Sequence, residues 1–269
     1  MENKVVLITG ASSGIGLAIG RYLITRGFKV YGTARDPAKY AERTEFELLP
    51  MEVRDPLSIG KAVDTIIARE GRLDILINNA GVGITGPVEE TPLEAVRKVM
   101  EINFLGPISL IRAVLPLMRK QNAGLVINIT SIAGYMGLPF RGYYSASKGA
   151  LELLTEALRL ETSGSGILFT SLAPGDFATN IAAGRYHAPV LEQSPYKEDY
   201  ERSLRLMNEH VSQGQDPLRV AEKVYAIICK KHPKVHYRVG RPLQRFSLLL
   251  KKLLPDKLYE KLLLNHYKL

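Results

Sequence analysis

The sequence predicts an α/β fold, a doubly wound parallel sheet of about seven strands with helices on both faces. Three observations predict it. Short β-branched runs alternate with longer helical patterns almost from end to end, as βαβ units require. Several helical stretches open on an acceptor–proline pair, and a glycine-rich turn joins the first strand to the first helix. At 269 residues, 46% hydrophobic and 23% charged, the chain has ordinary globular composition and the length to bury a large core.

Strands are expected near 4–9, 28–34, 46–52, 73–77, 124–130, 167–173 and 234–239. Asp55-Pro56, Thr91-Pro92 and Asp216-Pro217 read as helix starts, with a side chain capping the orphan amides and proline in the first turn. Glu94, three residues after Thr91, completes the pattern of a capping box. No repeat, low-complexity tract or Ser/Gly linker interrupts the series, so residues 1–269 read as one domain. Right-handed crossovers then put helices on both faces of the sheet.

The formal net charge is +9, and residues 230–269 account for it, with eleven basic side chains against Asp256 and Glu260. The remainder is near neutral, which argues against nucleic-acid binding over the main body. A lone Cys229 excludes an internal disulfide and any Cys-rich zinc site, and it suits a reducing compartment, so a cytoplasmic protein is expected. Val5 to Ile8 is too short for a signal-peptide core, and no stretch approaches the roughly 20 apolar residues of a membrane span. His232 and His236 are four apart, but Pro233 breaks the helix that would align them and no carboxylate cluster joins them, so no metal site is expected.

Thr9-Gly10-Ala11-Ser12-Ser13-Gly14-Ile15-Gly16 closes the first strand and opens a helical pattern. Glycines there let the backbone turn tightly and approach a pyrophosphate, whose charge the first amides of the helix and its dipole favour. The reading is a Rossmann-type nucleotide site. Further motifs follow in order: Asn78-Asn79-Ala80-Gly81, Asn103-Phe104-Leu105-Gly106, Ser131, Tyr144-Ser145-Ala146-Ser147-Lys148 and Pro174-Gly175-Asp176-Phe177-Ala178-Thr179. On these residues the chain resembles the short-chain dehydrogenase/reductase family in its compact branch, over roughly residues 4 to 240.

Tyr144 and Lys148 are four apart, so on a helix they share a face. A free tyrosine titrates near pH 10, and a neighbouring ammonium lowers that value toward the working pH. Tyr143 has Ser147 at the same spacing and cannot replace Tyr144. The resemblance implies that Tyr144 is the proton donor or acceptor, that Lys148 tunes it and bonds the nicotinamide ribose, that Ser131 holds the substrate carbonyl, and that Asn103 anchors a proton-relaying water. It further implies cofactor contacts from Gly10, Ser12, Ser13, Gly14, Ile15 and Gly16, from Glu52 and Val53, from Asn79, Ala80 and Gly81, and from Pro174, Gly175, Phe177 and Thr179. Glu52 stands where relatives carry an adenine-binding aspartate.

At the end of the second strand, Ala34 occupies the place of the acid found in NAD-preferring relatives, and Arg35 follows it. A guanidinium pairs well with a 2′-phosphate, so NADP(H) is expected rather than NAD(H), with Asp36-Pro37 as the start of a turn. Residues 180–215 occupy the stretch that forms the substrate lid in the family the chain resembles, which implies a lid here. Their Ile181, Tyr186, His187, Pro189, Val190, Leu191 and Tyr196, before a helical run from Leu204 to Val211, favour a bulky hydrophobic carbonyl or secondary alcohol of steroid-, retinoid- or lipid-like character. Residues 241–269 form a basic amphipathic extension, broken by Pro255, that either packs on the protein or a partner subunit or makes peripheral contact with an anionic membrane. The resemblance implies a homodimer or homotetramer. Competing readings are a reductase of small xenobiotic or quinone carbonyls, a non-catalytic NADP(H)-sensing protein, and a basic nucleic-acid binder.

Overall fold

The computed structural model describes residues 3–178, 184–212 and 214–269. Thr179 and Ile181 lie outside the described residues. All seven expected strands form one parallel sheet, in the order β3-β2-β1-β4-β6-β7-β9: β1 (Val5–Ile8), β2 (Lys29–Ala34), β3 (Glu47–Pro50), β4 (Ile75–Asn78), β6 (Gly124–Ile129), β7 (Ile167–Pro174) and β9 (His236–Val239). β5 (Ile84–Thr85) and β8 (Tyr186–His187) pair separately as a two-stranded parallel ribbon. The sheet runs outward from β1 through β2 to β3, then returns to β1 and runs the other way through β4, and a ligand crevice is expected at the carboxyl ends where the order turns.

Both sheet faces are covered, which is why the strands are continuously apolar rather than alternating. Val6, Ile8, Ile75, Ile77 and Ile127 meet Ile19 and Leu23 of α1 (Gly14–Ile24) and Val220, Val224 and Ile227 of α7 (Leu218–Ile228). Val5, Leu7, Leu76 and Val126 meet Ile59, Val63 and Ile66 of α2 (Pro56–Glu70) and Leu110, Val114 and Met118 of α4 (Gly106–Gln121). Truncating Leu7, which is fully buried, to alanine would cost roughly 2–5 kcal/mol.

Asp55 and Asp216 cap as expected, accepting from Leu57 N at 3.0 Å and Leu218 N at 2.9 Å. The Thr91–Glu94 capping box does not form. The Thr91 hydroxyl donates back to Pro87 O at 2.6 Å, and α3 (Leu93–Met100) starts without a side-chain cap. α3 runs into α4 through a π-turn at Glu101–Leu105. By length and composition the run Leu93–Gln121 is apolar enough to cross a membrane, contrary to the expectation that no stretch would be, yet Leu110, Val114 and Met118 on it are fully buried in the core.

The last two helices, α8 (Pro242–Leu253) and α9 (Asp256–Tyr267), turn one side to the body. Leu248 and Tyr259 join Ile132, Met136 and Ala173 in a buried cluster. Lys251 donates to Tyr135 O at 2.7 Å, and Tyr259 OH lies 3.1 Å from Met136 Sδ.

Candidate active site

A cleft of about 740 Å³ lies at the carboxyl ends of the strands. The segments after β1, β2, β3, β4, β6 and β7 each contribute to it: Gly10, Ser12, Ser13, Gly14 and Ile15; Arg35; Glu52 and Val53; Asn79, Ala80 and Gly81; Ser131; and Pro174, Gly175 and Phe177. Tyr144 and Lys148 enter from α5 (Gly142–Glu161). Of the expected site residues, Gly16 and Asn103 stand behind this lining.

The glycine loop is held by Thr9 and Asn79, two motif residues that bond each other's segments. Thr9 Oγ1 accepts from the amides of Asn79 at 2.9 Å and Ala80 at 2.8 Å, and Asn79 Nδ2 donates to the carbonyls of Thr9 at 2.9 Å and Gly10 at 3.1 Å. Gly10 has φ +62° and approaches Ala80 so closely that a Cβ would lie 3.1 Å from its Cα. A Cβ on Gly16 would stand 2.5 Å from Asn79 Nδ2, so this glycine permits packing rather than facing the cleft. Ser13 precedes α1 without capping it, which leaves the first-turn amides of the helix to a ligand, and an anionic pyrophosphate suits them.

α5 buries one stripe of alternating chemistry: Tyr144, Ser147, Lys148, Leu151, Glu152 and Thr155. Lys148 Nζ donates to Ile129 O at 3.1 Å, and burial pulls its pKa down to about 8 against the opposing pull of Glu152. One turn on, the Glu152 carboxylate takes hydrogen bonds from Thr130 and Ser171, while His236 Nδ1 lies 2.8 Å from Oε2. Burial pushes this carboxyl up, but His236, Ser171 and Thr130 together hold it below its usual value. His236 is raised by its bond to Glu152 and, beyond that, by Glu156, which lies 2.8 Å from Nε2. Ser131 Oγ accepts from Ala133 N at 3.2 Å, which fixes the hydroxyl at the start of a tight turn over Ile132–Tyr135.

Asn103 sits in the π-turn, fully buried. Its Oδ1 accepts from Val82 N at 2.9 Å, and its Nδ2 donates to Val82 O at 2.9 Å and Ser147 Oγ at 3.1 Å. It therefore ties the segment after β4 to α5. Gly81 lies against both Asn103 and the lysine, for a Cβ there would lie 3.2 Å from Lys148 Nζ and 3.3 Å from Asn103 Oδ1. Asn78 is structural in its contacts, with Nδ2 donating to Asn128 Oδ1 across β4 and β6 at 2.9 Å.

At the end of β2, Arg35 is exposed and lines the cleft. Asp36 turns outward, its carboxylate 3.0 Å from Lys39 Nζ, at the start of the turn Pro37–Arg43. Glu52 is engaged by Arg54, whose Nε lies 3.3 Å from Oε1 and whose Nη2 lies 3.2 Å from Oε2. Burial raises the Glu52 carboxyl, and Arg54 more than offsets this.

The lid contributes differently from the expectation. Among the described residues of 180–215, Gly184, Arg185, Tyr186 and Met207 line the cleft, whereas His187, Pro189, Val190, Leu191 and Tyr196 do not. The helical run begins earlier than expected, as α6 (Lys197–Ser212), because Glu198 and Asp199 suit its first turn. Arg185 packs across Gly83, and its Nη1 is buried with no partner among the described residues. Burial lowers its pKa, and the nearby Arg141 lowers it further. Arg141 stands over the Tyr144 ring, 5.5 Å from its centroid. Among the described residues no cluster of His, Cys, Asp and Glu is placed to hold a metal ion.

Residues 4–189 match the protein family described as short chain dehydrogenase. The chain belongs to that family. It is 38% identical over 261 residues to a 3-ketodihydrosphingosine reductase of Bacteroides thetaiotaomicron, covering 97% of this chain and 96% of that protein. It is 35% identical over 255 residues to the 17-beta-hydroxysteroid dehydrogenase type 1 of Mus musculus, covering 88% of this chain and 74% of that protein. A short-chain dehydrogenase/reductase of Burkholderia phymatum solved in complex with NAD superposes with a TM-score of 0.81 at 26% identity, covering 93% of each chain. As a short-chain dehydrogenase, the protein is a nucleotide-binding oxidoreductase acting on CH–OH and C=O groups.

Proposed function

We propose that this short-chain dehydrogenase uses NADP(H) to interconvert a hydrophobic, lipid- or steroid-like carbonyl and its secondary alcohol. The observation that carries the reading is the shared buried stripe of α5, which puts Tyr144 and Lys148 into the same cleft as Ser131. The nicotinamide, when bound, supplies or accepts the hydride. Ser131 holds the carbonyl oxygen, and Tyr144 gives it a proton in reduction and takes one in oxidation. Lys148, on the same buried stripe, would bond the nicotinamide ribose. Asn103 keeps Val82 and Ser147, and through them the floor of the site, in place. The residues after β1, β3, β4 and β7 would form the cofactor cradle.

Arg35 in the lining, with Asp36 turned away toward Lys39, supports NADP(H). Phe177, Tyr186, Met207 and Ile84 offer apolar contact, while Arg141 and Arg185 suit an oxygen-rich end on an otherwise hydrophobic substrate. Exposed Leu153 and Leu160 on α5 support subunit pairing through that helix. The test is turnover with each cofactor on three substrates: a long-chain keto amphiphile, a ketosteroid and a small quinone. Preference for NADPH and for one of the two large ketones supports the reading; preference for the quinone, or for NADH, overturns it.

A further inference from the structure

The last two helices are apolar on two sides, and packing on the body accounts for only one. Their inner sides carry the buried Leu248, Tyr259 and Tyr267. Their outer sides carry Leu243, Phe246, Leu249 and Leu253 on α8, spaced by three and four residues as one helical stripe, and Leu258 and Leu262 on α9. These six are between 42% and 73% exposed, and α8–α9 as a whole is where large exposed apolar side chains concentrate.

The charge around this apolar surface selects its occupant. Between Arg241 and Lys268 seven basic residues stand against Asp256 and Glu260. Lys257 and Lys261 sit one turn apart, interleaved with Leu258 and Leu262, and no ion pair among the described residues engages Lys252, Lys257 or Lys261. A second copy of the same surface would set lysines against lysines. A lipid layer with anionic headgroups takes both components at once, leucines entering the acyl boundary and lysine stems reaching back to phosphate.

We propose that the outer sides of α8 and α9 dock the enzyme on an anionic membrane surface. The same helices reach the cleft from their inner sides. Gln244 of α8 donates to Asp176, and its Oε1 stands beside Gly175; Tyr267 of α9 lies against Arg141. Docking thus places the substrate end of the cleft next to the lipid phase. This inference rests on the surface alone and stands whatever substrate the cleft accepts.

The test is co-sedimentation of the full chain with vesicles of phosphatidylcholine alone or mixed with phosphatidylglycerol. Binding is expected only to the mixed vesicles, weakening as salt rises. Leu253→Glu with Leu262→Glu, and separately Lys257→Glu with Lys261→Glu, should each weaken it at least ~10-fold. Both pairs are exposed and outside the cleft, so turnover of a water-soluble ketone and the melting temperature should hold, and the lysine pair keeps the test open if the leucine pair misfolds. Failure to bind mixed vesicles, equal binding to pure phosphatidylcholine, or binding indifferent to the lysine pair overturns the proposal. So does a leucine-pair variant that sediments as a smaller oligomer while vesicle binding is unchanged, because a second copy would then cover the face.

Discussion

Glu152 and His236, 84 residues apart in sequence, meet at 2.8 Å directly behind Lys148. The histidine is raised, so its contribution to stability is complete below its unfolded value of 6.5 and is lost as pH climbs through the higher folded value. Glu152 is depressed, so its contribution is complete above 4.5 and is lost as pH falls through the lower folded value. His236→Asn should therefore lower the melting temperature most near pH 5.5 and least near pH 9, measured by thermal melts across that range. A loss constant with pH would refute the coupling.

Lys148 supplies the opposite sign. Burial holds its pKa at about 8 against 10.5 unfolded, so the charged lysine costs stability below pH 8, and the penalty fades as pH rises toward 10.5. The full penalty is on the order of 3 kcal/mol. Lys148→Met should abolish turnover, and its melting temperature relative to the parent should be highest at pH 7 and decline steadily to pH 10. A relative stability that rises with pH would contradict the assignment.

Tyr144→Phe removes the transferable proton and leaves the cradle intact. Turnover should fall by roughly 10²–10⁴-fold, with NADPH affinity within about twofold of the parent. Tyr143→Phe loses only a bond to Val88 O at 2.9 Å and should retain most activity. Steady-state rates and cofactor titration of both variants decide the matter.

Arg35→Ala should cost about 1.5–3 kcal/mol of NADPH binding and little of NADH binding. Titrating both nucleotides by calorimetry checks this, and equal losses for the two would count against the 2′-phosphate contact.

Arg185→Ala should raise KM roughly tenfold or more for ketones carrying a carboxylate, phosphate or several hydroxyls, since each loses a charge-assisted bond, with much less effect on a bare hydrocarbon ketone. Comparing KM across such a pair of substrates measures it.

Much of this architecture is readable from local pattern. The seven strands are short apolar runs, Asp55 and Asp216 announce their helices by proline at the next position, and the motif residues fall at strand ends where the fold collects them. What escapes depends on residues distant in sequence. Nothing near Thr91 reveals that its hydroxyl will turn to Pro87 rather than to its own helix. β5 and β8, two residues each, have no detectable period. Arg185 reads as one basic residue among many until the fold carries it to Gly83 and Arg141. His236 looks like half of a failed metal pair with His232, whereas its partners are the α5 carboxylates of Glu152 and Glu156.

The π-turn at Glu101–Leu105 gives the helix from Leu93 to Gln121 two separate duties. Ahead of the turn, Ala95 and Val99 serve the cleft; beyond it, Leu110, Val114 and Met118 serve the sheet core. A widened turn is a phase shifter, so losing one residue there would leave both halves helical but rotate one against the other by about 100°. Either the cleft wall or the core would then face the wrong way, and Asn103 would leave Val82. Chain length is thus fixed in this stretch, while the exposed segment around Pro189 to Leu191 is free to gain or lose residues.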